Sequence, residues 1–180
     1  MTANDPDPCR TTAEFRANDF KDGLIREIPN LRAFAASLSG SMQLADDLVQ
    51  DTLLKAWSNA EKFEPGTSLR AWLFTILRNL WIDEHRRGQA ALLVTEEAPE
   101  DGDWRHDDGL IATITVRQAL DRIDPAQREI LELVDLAGFR YGEAARILGV
   151  PVGTVMSRLS RARLSLLNAI EGGNLHPLPA

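Results

Sequence analysis

Residues 141–167 read YGEAARILGVPVGTVMSRLSRARLSLL, and the spacing within this run decides the fold of the C-terminal half. Ala144, Ala145 and Leu148 recur at helical spacing, and Gly149 stands where a helix ends in the left-handed conformation that glycine tolerates. Pro151 cannot continue that helix but suits the first turn of the next one. Beyond it, Val155, Leu159, Ala162 and Leu166 fall at i, i+4, i+7 and i+11, forming one apolar stripe. Thr154, Ser157, Arg158 and Arg161 lie on the opposite face. Two short helices joined by a glycine turn, the second apolar inside and hydroxyl-plus-arginine outside, make the helix-turn-helix pattern. A second helix of this kind can lie in a major groove, where arginine forks onto guanine and small hydroxyls reach base edges or phosphates. An ordinary helical hairpin with a solvated basic face shares the pattern, so the rest of the chain has to decide.

The 180 residues are long enough for one domain or two small ones, and a hydrophobic fraction of 44% is ordinary for a globular chain. No apolar run reaches the length of a membrane span, and the acidic N-terminus lacks the layout of a signal peptide. The single cysteine, Cys9, excludes an internal disulfide and a cysteine-based zinc site. The expected compartment is therefore the cytoplasm. A net charge of −7 argues against a nucleic-acid binder when read as an average, but the charge is segregated. Between Gly88 and Asp108, seven acids stand against Arg105 alone, leaving −6. Between Phe139 and Leu167, five arginines stand against Glu143, leaving +4.

The pattern predicts an all-α protein of two small helical domains joined by an acidic linker, with the helix-turn-helix in the second. Residues 1–12 read as a disordered tail, 13–87 as the first domain, 88–109 as the linker, 110–170 as the second domain and 171–180 as a second tail. In the first domain, Phe20, Leu24, Ile25, Ile28, Leu31, Phe34 and Leu38 fit an amphipathic helix that Pro29 is expected to split or restart. Leu44, Leu48, Leu53 and Trp57 are the expected inward positions of the next helix, opposite Asp46, Asp47, Gln50, Asp51 and Lys55. The three acids resemble a magnesium site, but no second element supplies convergent oxygens, so a solvated or docking face is the better reading. After a turn at Glu64-Pro65-Gly66-Thr67, Ser68 caps a helix running to about Arg87 with Leu69, Trp72, Leu73, Ile76, Leu77 and Leu80 inward. Another face aligns Phe74, Arg78, Trp81 and His85, ahead of Arg86 and Arg87. Arginines interleaved with aromatics suit unpaired nucleic acid, although Phe74 reads better as core. The linker carries one large ring, Trp104. In the second domain Asp124-Pro125 marks a helix start, with Gln127 placed to complete a capping box.

Taken together, LADDLVQDTLLKAW, FEPGTSLRAWLFTILRNLWIDEHRR and IDPAQREILELVDLAGFRYGEAARILGVPVGTVMSRLSRARLSLL closely resemble bacterial RNA polymerase sigma factors of the extracytoplasmic-function (ECF) type. The resemblance covers residues 15–167, and both motif sets occur in the family's order. It implies a non-catalytic subunit, without cofactor or metal, that joins core polymerase at the beta-prime clamp and beta flap. Asp47, Gln50, Asp51 and Lys55 match the clamp-docking helix. Phe63, Arg78, Asn79, Trp81, Arg86 and Arg87 match the part that opens the −10 element and captures an unpaired base, together with the loop before Ser68. Thr154, Ser157, Arg158 and Arg161 match the reader of the duplex −35 element. The segments IPNLRAFAASLSG and FEPGTSLRAWLFTILRN resemble the alphaproteobacterial general-stress-response branch (EcfG-like), which implies a small anti-sigma protein as a further partner; no membrane is expected as a partner, since no apolar run spans one. A stand-alone, dimeric helix-turn-helix regulator is the alternative.

Overall fold

The computed structural model describes residues 12–64, 66–92 and 111–173. Among them no strand occurs, and the helices are α1 (Thr12–Ser39), α2 (Met42–Ser58), α3 (Leu69–Leu92), α4 (Ile111–Arg122), α5 (Pro125–Leu131), α6 (Tyr141–Leu148) and α7 (Val152–Gly173). A short 3-10 turn occupies Ala60–Lys62, and α5 passes directly into a π-helical turn at Glu132–Leu136. The fold is therefore all-α, as the periodicity predicts. Residues 93–110, which hold most of the acidic interval and Trp104, lie outside the described residues, as do residues 1–11 and 174–180 of the two expected tails.

Local chemistry sets most helix ends. Ser41 has extended backbone (φ −137°, ψ 129°) and its hydroxyl accepts the Leu44 N–H, the arrangement that caps a helix start. Ser68 Oγ accepts the Ala71 N–H at 3.2 Å in the same way. Asp124 accepts from the Ala126 and Gln127 N–H groups at 2.9 and 3.3 Å, with Pro125 at the first helical position where its missing N–H costs nothing. Gly149 closes α6 at φ 67°, ψ 34°, the left-handed conformation expected of it. A Cβ at this position would meet nothing within 4 Å among the described residues, so a substitution there is penalised through the backbone alone. Gly149→Ala is accordingly expected to cost about 1–2 kcal/mol, read as a lower urea midpoint with unchanged slope.

Pro29 does not split the first helix. α1 continues through it, because the carbonyl at Ile25 that loses its donor sits on an exposed stretch where water can take the donor's place (Ile25 is 53% exposed). The packing face of α2 also differs from the expectation. Ala45, Leu48, Val49, Thr52 and Ala56 are buried, whereas Leu44 and Trp57 face outward and Leu53 is half-buried. Small Ala45 and Ala56 let α2 approach its neighbours closely, which rotates the helix away from the stripe drawn through its larger side chains. α3 runs past Arg87 to Leu92, and α7 runs to Gly173.

The first three helices pack around Leu31, Phe34, Leu48, Leu73 and Leu77. In the C-terminal unit α7 lies against α4, α5 and α6, sealing Val155, Leu159 and Ala162 together with Ile130, Leu133 and Ile147. The two units are not held apart. α6 packs on α3 and α5 approaches α1, so one apolar cluster runs through both. Phe74, fully buried as expected, is its hub: the ring stacks on Phe34 at 4.9 Å and meets Phe139 of the C-terminal unit edge-on at 4.8 Å. Arg70 lies 4.9 Å from the Phe139 ring centre, a cation over an aromatic face at the same seam.

Candidate functional site

Three surfaces carry the residues that the sequence singles out. On α7 the inward stripe is sealed while Ser157, Arg158 and Arg161 are exposed and Thr154 is half-buried. Ser157 Oγ donates to the Thr154 carbonyl at 3.1 Å, and Arg161 Nε to the Ser157 carbonyl at 3.3 Å, so both lie along the helix when nothing faces them. Arg163, the next arginine along α7, is committed elsewhere. Its guanidinium forks onto Asp135 at 2.6 and 3.0 Å, and that carboxylate holds the arginine pKa above its ordinary value. The hydrogen bond ties α7 to the π-helical turn, leaving Arg158 and Arg161 as the outward cations of the helix.

On α2, Asp46, Asp47, Gln50, Asp51 and Lys55 are all exposed. Asp46 pairs with Arg32 of α1 at 2.6 Å, so the three acids do not act as one cluster. Asp47 and Asp51 stay on the outer face, bracketed by Leu44 (43% exposed) and Leu54 (58% exposed) at helical spacing. Large aliphatics in the open beside carboxylates suit a partner that offers both apolar and basic groups. The sequence reading missed these outward leucines, since hydrophobicity alone sends Leu44 into the core. The signal available was the small-residue stripe at Ala45 and Ala56.

The third set is dispersed. Phe63 is half-buried, its ring 5.9 Å from Phe20 and 5.5 Å from Trp72, and so belongs to an aromatic cluster in this arrangement. Trp81 is half-buried, with its ring 5.4 Å from that of His85. Asn79, Arg86 and Arg87 are exposed. Arg78 points into the seam, where its Nε donates to Glu129 of α5 at 2.6 Å and only 19% of its side chain is accessible. The loop before Ser68 turns tightly at Gly66 (φ 91°) and borders a cavity of about 280 Å³ lined by Lys62, Thr67, Trp72 and Thr75. Arg146 of α6 forms part of the same wall. The C-terminal unit thus covers one expected contact residue and adjoins the loop expected to capture a base.

Comparison with known proteins decides the family. Residues 24–91 match the model for Sigma-70 region 2, and residues 114–166 match Sigma-70, region 4. Over 164 residues the chain is 44% identical to the ECF RNA polymerase sigma factor EcfG of Rhodopseudomonas palustris, covering 86% of this chain and 88% of that one. The chain is an ECF sigma factor. Its likeness to EcfG places it in the EcfG-like branch, and the match sets aside the stand-alone regulator. A more distant relative is the ECF sigma factor SigC of Mycobacterium tuberculosis, 38% identical over 146 residues, with 79% of this sigma factor and 78% of that one covered. Among solved structures, the sigma factor RpoE in complex with the anti-sigma factor NepR from Bartonella quintana superimposes with a TM-score of 0.79 at 40% identity, covering 86% and 98% of the two chains. CnrH in complex with the cytosolic domain of CnrY follows the same fold with a TM-score of 0.65 at 29% identity, covering 87% and 90%. In this sigma factor, α1–α3 correspond to region 2 and α4–α7 to region 4. No described helix is long and apolar enough to cross a membrane.

Proposed function

We propose that this sigma factor joins core RNA polymerase through the outer face of α2, reads the −10 element with region 2 and the −35 element with region 4, and thereby starts transcription of stress-response genes. The observation that carries the reading is α7, whose apolar side is sealed against α4–α6 while Ser157, Arg158 and Arg161 stand open to a groove. Asp47, Gln50, Asp51 and Lys55, with Leu44 and Leu54 beside them, supply the polymerase-facing surface on the clamp, and region 4 meets the flap. Asn79 offers a donor and an acceptor to an unpaired base, while Arg86 and Arg87 follow phosphates. Phe63 and Trp81 bound that region, and Arg78 joins it once Glu129 lets go. The chain works in the cytoplasm, needs no metal or cofactor and is restrained by a small anti-sigma protein, as the sigma factor RpoE is bound by the anti-sigma factor NepR in the similar solved complex.

Geometry adds a requirement. Elements centred some 25 base pairs apart are separated by roughly 85 Å of duplex at about 3.4 Å per pair, yet the two units here share a core. The closed form therefore has to open before both elements are touched, and polymerase holds the readers at the needed distance while raising their effective concentration. An acidic chain binds bare DNA weakly, since affinity grows with the phosphates neutralised.

Reversing two exposed charges tests the docking face. Asp47→Arg with Asp51→Arg is expected to leave thermal unfolding within about 0.5 kcal/mol of the parent, because neither residue is packed. The same variant should lose co-elution with purified core polymerase, whereas Arg158→Ala should keep it. Undiminished co-elution of the double variant would move the docking surface elsewhere.

A further inference from the structure

The seam between the two units holds a buried carboxyl that promoter reading does not use. Glu132 opens the π-helical turn, is 7% exposed and forms part of the wall of a groove of about 630 Å³ between α1, α3, α4 and α5. From α1, Ser37 reaches it: Ser37 Oγ is in hydrogen-bond contact with Glu132 Oε2 and also lies 2.8 Å from the Phe34 carbonyl. A serine hydroxyl has one proton to donate, and both of these neighbours are acceptors while Glu132 is ionised. If Glu132 carries a proton, it donates to Ser37 Oγ and Ser37 donates to Phe34, so every contact has its hydrogen.

Among the described residues, the cations around Glu132 are shared with other acceptors. On α5, Arg128 faces it, but Arg128 Nε donates to the Leu120 carbonyl at 2.9 Å and its fork lies 3.5 Å from Asp121 of α4. Glu129 is bound to Arg78 of α3 at 2.6 Å, and Arg70 of α3 lies 3.3 Å from Glu27 of α1. Along the groove α1 adds Ser37 and Asn30 and no ionisable group. Burial accordingly raises the Glu132 pKa from 4.5 to about 7. Ser37 and Arg128 pull it down, and Glu129 and Asp121 push it up.

We propose that Glu132 is a latch between region 4 and α1: neutral, it stays buried against Ser37, and ionised, it resists that burial, so that acidification closes the sigma factor and alkalinisation releases it. The sign follows from linkage: the closed form binds this proton more tightly than a solvated carboxyl does, so closing takes up a proton and is favoured as pH falls. With 4.5 for the open form and about 7 for the closed one, the closed-to-open ratio falls about tenfold between pH 6 and pH 8. Closing also carries Arg78 onto Glu129, so the same proton governs access to a residue of the −10 set. That consequence for Arg78 rests on the proposed −10 reading, whereas the separation of the units is measured without DNA or polymerase.

The test is energy transfer between dyes on cysteines introduced at the exposed Glu61 and Ser160, in a full chain with Cys9→Ser, followed from pH 6 to pH 8 at fixed salt. The parent is expected to open as pH rises, with the tenfold change in ratio. Glu132→Gln keeps the shape and a donor for Ser37 but cannot ionise, so it should stay closed throughout. Ser37→Ala should lower the closed population at pH 6. A parent that does not move, a Glu132→Gln chain that follows the parent's pH response, or a Ser37→Ala chain as closed as the parent at pH 6 overturns the latch.

Discussion

Phe74→Ala is expected to destabilise the protein by about 3–5 kcal/mol, the loss typical of a large ring removed from a sealed site. Phe74 is fully buried, and its neighbours come from three parts of the chain: Phe34 on α1, Phe139 beyond the π-helical turn and Arg70 on its own helix. The hole left by the ring cannot be filled from one side, because α1 and α6 are each held by their own packing. Urea denaturation followed by helical signal checks the magnitude. Since the ring joins both regions, the loss should also shift the population toward the open form, visible as a larger radius of gyration. Leu54→Ala provides the contrast: that side chain is 58% exposed and should change stability by no more than about 0.5 kcal/mol. A cost for Phe74→Ala near that of Leu54→Ala would mean that the shared core is not what holds the regions together.

The second large effect concerns DNA. With the sigma factor on polymerase, Arg158→Ala or Arg161→Ala is expected to cost about 1–3 kcal/mol if the residue forks onto guanine, and to relax preference at a single position of the −35 element. The altered position is read by selecting bound sequences from a randomised −35 pool. Loss spread evenly over all sequences, with a shallower salt dependence, would assign the arginine to phosphate instead. Arg163→Ala should differ in kind. Its fork is spent on Asp135, so its removal should loosen α7 against the π-helical turn without relaxing sequence preference.

How much of this was legible in the sequence follows the range of the interactions involved. The helix-turn-helix was readable because Gly149, Pro151 and the Val155–Leu159–Ala162 stripe act within a few residues of themselves, and the backbone obeys them. Caps at Ser41, Ser68 and Asp124 are local for the same reason. α2 was misread because its rotation is set by how closely neighbouring helices approach, which the size of Ala45 and Ala56 decides and the hydrophobicity of Leu44 and Trp57 does not. Pro29 misleads in a similar way: the cost of its missing N–H depends on whether water reaches the orphaned carbonyl. The partners of Arg78, Arg163 and Glu132 lie far away along the chain or depend on how two units meet, and no periodicity encodes that. A single arginine looks the same in sequence whether it waits for DNA or is held by Glu129.

The most direct measurement of the central claim is run-off transcription by purified core polymerase, on promoter fragments upstream of genes whose transcripts rise when the chain is overexpressed. Adding the sigma factor should give specific start sites that core enzyme alone does not produce, lost on changing either the −10 or the −35 element and lost with Asp47→Arg and Asp51→Arg. Absence of specific starts, with a folded chain and no inhibitor present, would contradict the account.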